Sequence, residues 1–446
     1  MFRKVLIANR GEIALRVIRA CKEMGLQTVA VHSERDADAL HVRFADQSIC
    51  IGPPPSKRSY LNVPAILAAA EITGAQAIHP GYGFLSENPD FAEIVERSRL
   101  VLIGPRASEM RLMGNKIRAR EEMTRRGLDV LPGTTGLTSA EEALLAADTI
   151  GYPVIFKAAA GGGGRGMRIA QSREVVADLF HVARAEAQSA FGSDELYVEK
   201  YVTRPRHIEF QVLGDGEGRA IHLGERECSV QRRHQKLVEE SPSPGVSAEA
   251  RAEMGARVAA AVADMRYRGA GTIELIMDAD TRRFYFLEMN TRIQVEHPVT
   301  EEVTGVDLVK AQLRVALGER LWLRQEDIVM RGHAIECRIN AEDPVRFLPS
   351  PGRITAWHVP GGPGIRVDSA AYAEWTVPPD YDALIAKVIA YGATREEALA
   401  RMRRALDELV VEGIQTNTAF HRRVCVFDAF VRGEYDTRIV EQMTRG

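Results

Sequence analysis

The first hundred residues alternate short apolar runs with amphipathic stretches, and this order limits the possible fold more than any other feature. An apolar run at residues 5–8 precedes apolar side chains at helical spacing from Ile13 to Met24, and another apolar run follows at residues 28–31. Further strands are predicted at residues 77–78 and 100–104. Since strands joined by helices form parallel sheets with helices on both faces, we predict a doubly wound, Rossmann-like unit at the N-terminus.

The remaining sequence changes character, so that a chain of 446 residues is predicted to be a mixed α/β and α+β multidomain protein. A charged helix near Lys116 leads into a small antiparallel unit that resembles a lid. Strands are then predicted at residues 208–212, 271–277, 284–289 and 334–339, and a late helix at residues 395–412, ending at Gly413. The expected boundaries are 1–114, 115–203, 204–330 and 331–446.

Composition excludes several classes of protein. The chain is 45% hydrophobic and 27% charged, which is typical of a water-soluble globular protein, and its net charge of -3 provides no broad cationic surface for nucleic acid or an anionic membrane. No apolar stretch approaches the roughly twenty residues that span a bilayer, so we expect a cytoplasmic protein. The five cysteines form no CxxC motif, which argues against a zinc site and a disulfide framework.

A glycine-rich run contains G-x-G-x-x-G at Gly161, Gly163 and Gly166, which alone is a weak signal for dinucleotide binding. A dinucleotide turn leads into a helix, whereas the residues from Met167 onward have the pattern of a strand. The run is therefore predicted to join a hairpin and to close over phosphates, with Lys157 adding a positive charge. A flexible hairpin beside a surface lysine is the alternative.

Two glutamates are predicted to face each other across a second hairpin. If the hairpin is centred on Thr281, Glu274 lies opposite Glu288 at roughly 5 Å, where like charges repel unless a cation is present. Magnesium suits such a site because it takes oxygen ligands, and Asn290, on the same face, supplies another oxygen. The alternative is that one glutamate pairs with an arginine such as Arg292.

The same period-two alternation continues beyond this hairpin. Arg292, Gln294 and Glu296 fall on one side, and Ile293 and Val295 on the other. A guanidinium beside an amide can hold a small planar oxyanion, and a nearby carboxylate can remove its proton. The set predicts a bicarbonate pocket with its own base, and an exposed ion pair between the arginine and the glutamate is the alternative.

Other segments are more ambiguous. Arg338 shares a strand face with Glu336, so that a local salt bridge competes with a ligand-binding role. The charged segment 231–236 is either a solvated edge or part of a site. The segment 79–84 follows a predicted parallel strand, where it either faces a ligand or forms a turn. An extended conformation is expected at His297, which precedes a proline.

Taken together, these segments resemble the biotin carboxylase family of the ATP-grasp fold over nearly the whole chain. The resemblance rests on residues 8–14 (ANRGEIA), 79–88 (HPGYGFLSEN), 157–160 with the following glycines, and 288–298 (EMNTRIQVEHP). It implies a Rossmann-like biotin carboxylase N-terminal domain, an ATP-grasp linker and lid, an ATP-grasp core and a biotin carboxylase C-terminal domain. It also implies a ligase that uses ATP, bicarbonate and a divalent cation, magnesium or manganese, to carboxylate carrier-bound biotin through carboxyphosphate.

The resemblance also implies roles for individual residues. Contacts with ATP are expected from Lys116, Lys157, Gly163, Gly164, Gly166, Glu199, Lys200, Val202, His207, Gln231, His234, Glu274, Ile276 and Glu288. The metal ligands are expected to be Glu274, Glu288 and Asn290. Bicarbonate is expected to contact Lys236, Arg292, Gln294 and Val295, and biotin to contact Tyr82, Gly83 and Arg338. The catalytic residues are expected to be Glu296 as the base, Arg338 as the group that stabilises the biotin enolate, Arg292 and Lys236.

The resemblance further implies partner proteins. No carrier segment, a lysine flanked by methionines, occurs in the sequence, so a separate biotin carboxyl carrier protein and separate carboxyltransferase subunits are expected. The reaction is then the first half-reaction of an acetyl-CoA or acyl-CoA carboxylase, in fatty acid (malonyl-CoA) biosynthesis. A homodimer is expected through a surface that includes Arg19, Glu23 and Arg366, although Pro363 replaces an aromatic residue there.

Three other functions fit part of this sequence pattern. Another ATP-grasp ligase, such as a carbamoyl-phosphate-forming one, has the same metal site and lid and differs in not requiring biotin. A nicotinamide oxidoreductase is disfavoured because the first turn lacks the usual glycines. A non-catalytic nucleotide-binding subunit is disfavoured because every proposed catalytic residue type is present.

Overall fold

The N-terminal unit is a five-stranded parallel sheet, as the alternation of strands and helices predicts. In the computed structural model, which describes residues 2–158 and 167–445, the sheet order is β3–β2–β1–β4–β5. The strands are β1 (Lys4–Ile7), β2 (Gln27–His32), β3 (Gln47–Cys50), β4 (Ala77–His79) and β5 (Val101–Leu102). The helices are α1 (Gly11–Glu23), α2 (Leu40–Phe44), α3 (Val63–Thr73), α4 (Pro89–Arg97) and α5 (Ala107–Gly114). The prediction of a doubly wound unit is confirmed.

The first helix shows why this unit folds as it does. Ile13, Val17 and Cys21 recur at helical spacing and are fully or almost fully buried against the sheet. The helix ends before Gly25, whose φ of +70° is a left-handed conformation that glycine adopts without strain. The chain then enters β2. Because β1 and β4 are parallel neighbours, the loop at residues 8–10 and the loop after β4 lie at the same edge of the sheet.

The next unit is a small antiparallel sheet in the order β6–β9–β7–β8. Its elements, after helix α6 (Lys116–Arg125), are β6 (Gly133–Leu137), α7 (Ala140–Ile150), β7 (Val154–Ala158), β8 (Arg168–Ala170), α8 (Val176–Phe191) and β9 (Leu196–Lys200). Its core contains Phe156, Phe180 and Val198. Strands β7 and β8 form the expected hairpin, whereas Gly163, Gly164 and Gly166 lie outside the described residues.

The largest sheet is antiparallel and has the order β14–β13–β10–β11–β12–β15–β20–β18. The strands of the C-terminal half are β10 (Pro205–Asp215), β11 (Ala220–Arg232), β12 (Gln235–Ser241), β13 (Arg268–Asp278), β14 (Phe284–Asn290), β15 (His333–Asn340), β16 (Gly352–Arg353), β17 (Ala356–His358), β18 (Ile365–Ser369), β19 (Thr376–Val377), β20 (Leu384–Gly392) and β21 (Val410–Glu412). Because β12 pairs with β15, the expected units 204–330 and 331–446 share one continuous sheet.

Helices pack on both faces of this sheet, because Ala334 and Ile335, neighbours on one strand, contact different helices. The helices are α9 (Ala248–Asp264), α10 (His297–Thr304), α11 (Leu308–Ala316), α12 (Arg395–Glu408), α13 (Thr418–Val426), α14 (Asp428–Arg432) and α15 (Ile439–Arg445). Within residues 2–158 and 167–445, none of the helices combines the length and the apolar character that crossing a bilayer requires.

The predicted helix at residues 395–412 is too long. Helix α12 ends at Glu408, and residues 410–412 instead form strand β21, which pairs with β17. Its two β-branched valines favour the extended conformation. Gly413 then has a φ of +91° and approaches the backbone closely, because a Cβ there would lie 2.2 Å from the carbonyl oxygen of Arg353. That glycine therefore ends a strand and not a helix.

Candidate active site

A cleft of about 1670 Å³ lies between the N-terminal unit, the small antiparallel unit and the large sheet. Apart from Glu199, every predicted site residue that the structure describes lines it. These residues are Tyr82, Gly83, Lys116, Lys157, Lys200, Val202, His207, Gln231, His234, Lys236, Glu274, Ile276, Glu288, Asn290, Arg292, Gln294, Val295, Glu296 and Arg338. Segments far apart in the sequence are therefore brought to one cavity, while the roles of the individual residues stay predictions.

The two predicted metal-ligand glutamates face each other as expected, but for a different reason. Glu274 pairs with Glu288, whereas Met277 pairs with Phe284, so that the turn is not centred on Thr281. The register shifts by one residue between these pairs because Leu287 is an extra residue in β14. The bulge therefore restores the facing arrangement that the symmetrical hairpin predicts.

Glu274 is surrounded by hydrogen-bond donors. Its Oε1 accepts hydrogen bonds from Lys236 Nζ at 2.9 Å, from Asn290 Nδ2 at 2.7 Å and from Gln294 Nε2 at 2.8 Å. Its Oε2 lies 2.9 Å from His207 Nε2. Burial alone would raise the pKa of this carboxyl, but the Lys236 ammonium and His207 hold the pKa well below its ordinary value. The side chain is therefore ionised in the folded protein.

Glu288 lacks such hydrogen-bond donors, and the charge of Lys116 only partly offsets its burial. Within residues 2–158 and 167–445, no side chain or backbone N–H donates a hydrogen bond to its carboxylate. Burial and the negative charge of Glu274 raise its pKa. A half-buried carboxylate beside a second one, with the amide of Asn290 next to both, is an oxygen-rich donor set that fits a hard divalent cation such as magnesium. These residues therefore fit the predicted metal.

Arg292 does not pair with either of these glutamates, and that alternative is wrong. Its Nε donates to Glu87 Oε2 at 2.7 Å, and its Nη2 donates to Asn290 Oδ1 at 3.1 Å. The alternative of an exposed ion pair with Glu296 is also wrong, since Glu296 is only 2% exposed and its partners lie elsewhere. The guanidinium is thus fixed at the wall of the cleft.

Lys236 is bound by three carboxylates at the centre of the cleft. Its Nζ lies 2.5 Å from Glu209, 2.9 Å from Glu274 and 2.7 Å from Glu296. Burial opposes the charged ammonium, but the three carboxylates raise its pKa well above the ordinary value. Conversely, burial opposes the Glu296 carboxylate, but Lys236 and Arg338 hold its pKa well below the ordinary value. Both groups are therefore charged at neutral pH.

The chain does not continue as a strand to Glu296. Strand β14 ends at Asn290, and Glu296 is the residue that precedes helix α10. The extended conformation expected at His297 is wrong, because this residue begins the helix and Pro298 occupies the first turn, where its missing N–H costs no hydrogen bond. Nevertheless, Gln294 and Glu296 reach the same cluster around Lys236 and Glu274.

Arg338 contacts the cluster from strand β15. Its Nε donates to Glu239 Oε1 at 2.6 Å and its Nη2 donates to Glu296 Oε2 at 3.0 Å. The local salt bridge to Glu336 is not formed, so that alternative is wrong. Nearby, Tyr82 lines the cleft and its hydroxyl donates to Glu12, while Gly83 adopts a φ of +67°.

The end of the cleft at which the nucleotide is predicted to bind is formed by the small unit and a hairpin. The charged segment 231–236 spans the two-residue turn between β11 and β12, where Arg233 and His234 have left-handed φ values of +49° and +66°. Lys157 lies 2.6 Å from Glu199, which also pairs with Arg120. Glu199 is buried behind the wall and compensates these cations, which explains why it does not line the cleft.

The sequence prediction missed several residues that support the site. Glu209 and Arg226 lie on neighbouring strands beneath Lys236, Glu239 holds Arg338, and Glu87 holds Arg292. Glu87 is part of the HPGYGFLSEN run, but nothing in the sequence pairs it with a partner about 205 residues away. For Glu209 the signal was an apolar–polar alternation along β10, which is also the pattern of an ordinary half-exposed strand.

Comparisons with known proteins cover the whole chain. Three family models match: "Biotin carboxylase, N-terminal domain" at residues 1–110, "Carbamoyl-phosphate synthase L chain, ATP binding domain" at residues 115–324, and "Biotin carboxylase C-terminal domain" at residues 336–442. The chain is 57% identical over 444 residues to a biotin carboxylase of Pseudomonas aeruginosa, covering 99% of this chain and 98% of that protein.

Two further matches are to parts of other carboxylases. The chain is 52% identical over 448 residues to a pyruvate carboxylase subunit of Methanothermobacter thermautotrophicus, covering 100% of this chain and 91% of that protein. A solved structure of the biotin carboxylase domain dimer of Hydrogenobacter thermophilus 2-oxoglutarate carboxylase, in complex with MgADP, ADP and bicarbonate, is similar at a TM-score of 0.91 and 49% identity. That match covers 100% of this chain and 98% of the other.

Proposed function

Because this chain belongs to the biotin carboxylase family of ATP-grasp ligases, we propose that it carboxylates biotin on a separate carrier protein, using bicarbonate and ATP. The observation that carries the proposal is the convergence of two facing carboxylates with a lysine, an arginine, an amide and a buried glutamate in one cleft. This set provides a place for a metal-bound nucleotide at one end and for a small anion at the other.

The first step is the activation of bicarbonate. Bicarbonate is a poor electrophile, so we propose that its oxygen attacks the terminal phosphorus of ATP, which forms carboxyphosphate and releases ADP. Lys236, Arg292 and Gln294 hold the anion, and Glu296 accepts its proton because this carboxylate is ionised and buried beside them. A divalent cation held by Glu274, Glu288 and Asn290 would neutralise negative charge on the transferred phosphoryl group.

The second step transfers the carboxyl group. Carboxyphosphate breaks down to carbon dioxide and phosphate, the phosphate takes the proton from the ureido nitrogen of biotin, and that nitrogen then attacks carbon dioxide. Arg338 stabilises the biotin enolate, with Tyr82 and Gly83 forming the adjacent wall of the cleft. Water hydrolyses carboxyphosphate, so the small unit at residues 115–203 acts as a lid that excludes water from the cleft.

The nucleotide contacts are proposed by the same reasoning. Lys116 and Lys157 lie at the end of the cleft nearest the small unit, where they neutralise phosphate charge. The adenosine is surrounded by Lys200, Val202, His207, Gln231, His234 and Ile276. Glu199 contributes through the cations that it contacts.

The final acceptor is proposed to be acetyl-CoA, with malonyl-CoA for fatty acid biosynthesis as the product, after transfer by separate carboxyltransferase subunits. The acceptor is proposed separately from the first half-reaction, because similar chains belong to a pyruvate carboxylase and to a 2-oxoglutarate carboxylase. A homodimer is also proposed, through the exposed Arg19 and Pro363 and the neighbouring Glu23 and Arg366, which pair with Lys310 and with Asp368.

The test is bicarbonate-dependent release of ADP. Purified protein is expected to release ADP only with magnesium and bicarbonate, and faster when free biotin or biotinylated carrier is added. Release that biotin does not accelerate would rule out the proposed reaction. The acceptor is tested separately with carrier and carboxyltransferase: labelled bicarbonate appearing in oxaloacetate instead of malonyl-CoA would overturn the acetyl-CoA assignment and leave the first half-reaction in place.

A further inference from the structure

A fully buried arginine lies directly beneath the anion end of the cleft. Arg226, on strand β11, is 0% exposed, and each of its five N–H groups has an acceptor. The acceptors are Glu209 Oε1 for Nε, Gln211 Oε1 at 2.7 Å and Thr300 Oγ1 at 2.9 Å for Nη1, and Thr272 Oγ1 at 3.2 Å and Gln294 Oε1 at 2.7 Å for Nη2. Because all five N–H groups donate hydrogen bonds, the orientation of the guanidinium is fixed.

Arg226 determines which way the Gln294 amide points. A guanidinium only donates hydrogen bonds, so the atom of Gln294 that faces it must be the oxygen. On the other side, the Glu274 carboxylate only accepts, so the atom that faces it must be Nε2, at 2.8 Å. Both neighbours demand the same orientation, and the reverse orientation would lose both hydrogen bonds.

This orientation leaves a donor available to the cleft. Nε2 carries two hydrogens, and one hydrogen bond joins it to a described residue, Glu274. Gln294 lines the cleft beside Arg292, which is held independently by Glu87 and Asn290. The second N–H of the amide is therefore available to the proposed anion, whereas the carbonyl oxygen faces Arg226.

We propose that Arg226 is the positioning residue that orients the Gln294 amide so that it donates to bicarbonate. The inference rests on the proposed function, because it needs bicarbonate to bind beside Gln294. Arg226 itself is buried beneath the cleft and does not contact the substrate. Its effect is transmitted through one hydrogen bond to Gln294.

Arg226→Lys is the variant that isolates this role. A lysine keeps the positive charge beside Glu209, so that no buried carboxylate is left without a cation, but a single ammonium cannot reproduce the planar fork. Thr300→Val is the matched control, because it removes another acceptor of the same guanidinium without touching Gln294. Thermal unfolding of both variants shows whether they fold.

The measurement is steady-state ADP release with bicarbonate and ATP varied separately. Arg226→Lys is expected to raise the KM for bicarbonate about tenfold or more, because a misoriented amide no longer donates to the anion, while the KM for ATP stays within about twofold. Thr300→Val is expected to keep both values within about twofold. Equal effects of the two variants, or parallel loss of bicarbonate and ATP affinity, would show that Arg226 has only a structural role.

A double-mutant cycle makes the test specific. In a Gln294→Ala background, which lacks the amide, Arg226→Lys should no longer change the KM for bicarbonate, and additive effects would overturn the proposal. If Arg226→Lys does not fold, Glu209→Gln/Arg226→Met replaces the whole ion pair by neutral groups and is compared with Glu209→Gln alone. The same KM for bicarbonate in these two proteins would also overturn the proposal.

Failure of the inference differs from failure of the proposed function. If the wild-type protein releases ADP without bicarbonate, the proposed reaction itself is wrong. If the wild-type protein requires bicarbonate and Arg226→Lys leaves its KM unchanged, the reaction stands and Arg226 has no positioning role.

Discussion

A buried carboxyl group that the proposed chemistry does not use makes the stability of this protein depend on pH. Glu336, on strand β15, is 0% exposed, and among the described residues neither of its side-chain oxygens has a hydrogen-bond partner. It lies opposite Glu239 on the neighbouring strand. Burial, and the negative charges of Glu239 and Glu296, outweigh Lys387 and Arg338 and raise its pKa well above the ordinary value of 4.5.

The sign of the effect follows from the direction of this shift. Between pH 4.5 and its raised pKa, Glu336 is protonated in the folded protein and ionised in the unfolded chain, so unfolding releases a proton. Its contribution to stability is complete below pH 4.5 and is lost as pH rises toward the folded pKa. Each unit of pH between 4.5 and the folded pKa removes up to about 1.4 kcal/mol of this contribution.

Glu336→Gln keeps the size of the side chain and removes the titration. Relative to the wild type, its free energy of unfolding is expected to rise with pH, by up to about 1.4 kcal/mol for each unit of pH until the folded pKa of Glu336 is reached. Urea unfolding followed by circular dichroism at pH 6, 7 and 8 measures this difference directly. Glu412→Gln, at an exposed position of the same unit, controls for the loss of one negative charge. A difference between Glu336→Gln and wild type that does not change with pH would refute the reasoning.

Three further predictions concern the site and the fold. Glu296→Gln removes the base and should reduce turnover by about 10²–10⁴-fold with the KM for ATP within a few-fold, whereas parallel loss of ATP binding would indicate a structural role. Glu288→Gln should weaken magnesium binding in calorimetric titration by about tenfold or more and raise the midpoint of thermal unfolding without metal, because it removes repulsion between carboxylates; an unchanged titration would contradict the metal role. Gly413→Ala should lower the free energy of unfolding by roughly 1–3 kcal/mol, measured in urea, because its Cβ would lie 2.2 Å from a carbonyl oxygen, whereas Gly361→Ala, whose Cβ meets nothing within 4 Å, should change it little.

The N-terminal unit was predictable because its signal is local. The apolar side chains of α1 recur at helical spacing, Gly25 ends that helix, and the following strand is a continuous apolar run. The conformation of each element can therefore be predicted from residues that lie close together in the sequence. The late helix was predicted too long for the same reason, since Leu409 and Val410 fit a helical stripe until the pairing of residues 410–412 with residues 356–358 is known.

The sequence predicted a single strand register in which Glu274 faces Glu288. That register holds at the two glutamates but not for the residues nearer the turn. Near the turn Met277 pairs with Phe284, and without an extra residue Glu274 would lie opposite Leu287. The bulge at Leu287 moves Glu288 into place. A bulge depends on packing of the whole sheet, so the sequence contains the residues of the site but not the register shift that pairs them.

The ion pairs that support the cleft depend on the order of several strands and not only on the register of one hairpin. Along β10 an apolar face containing Phe210 packs against the core, and a polar face carries Glu209 and Gln211. In a sequence the polar face of such a strand looks like a surface, but here Glu209 and Gln211 are both 0% exposed. A buried carboxylate requires a cation, and Glu209 finds Arg226 and Lys236 on the next two strands of the sheet. The alternation thus identifies two faces, whereas the order and register of the strands decide that the polar face is the floor of the cleft and which charges meet there.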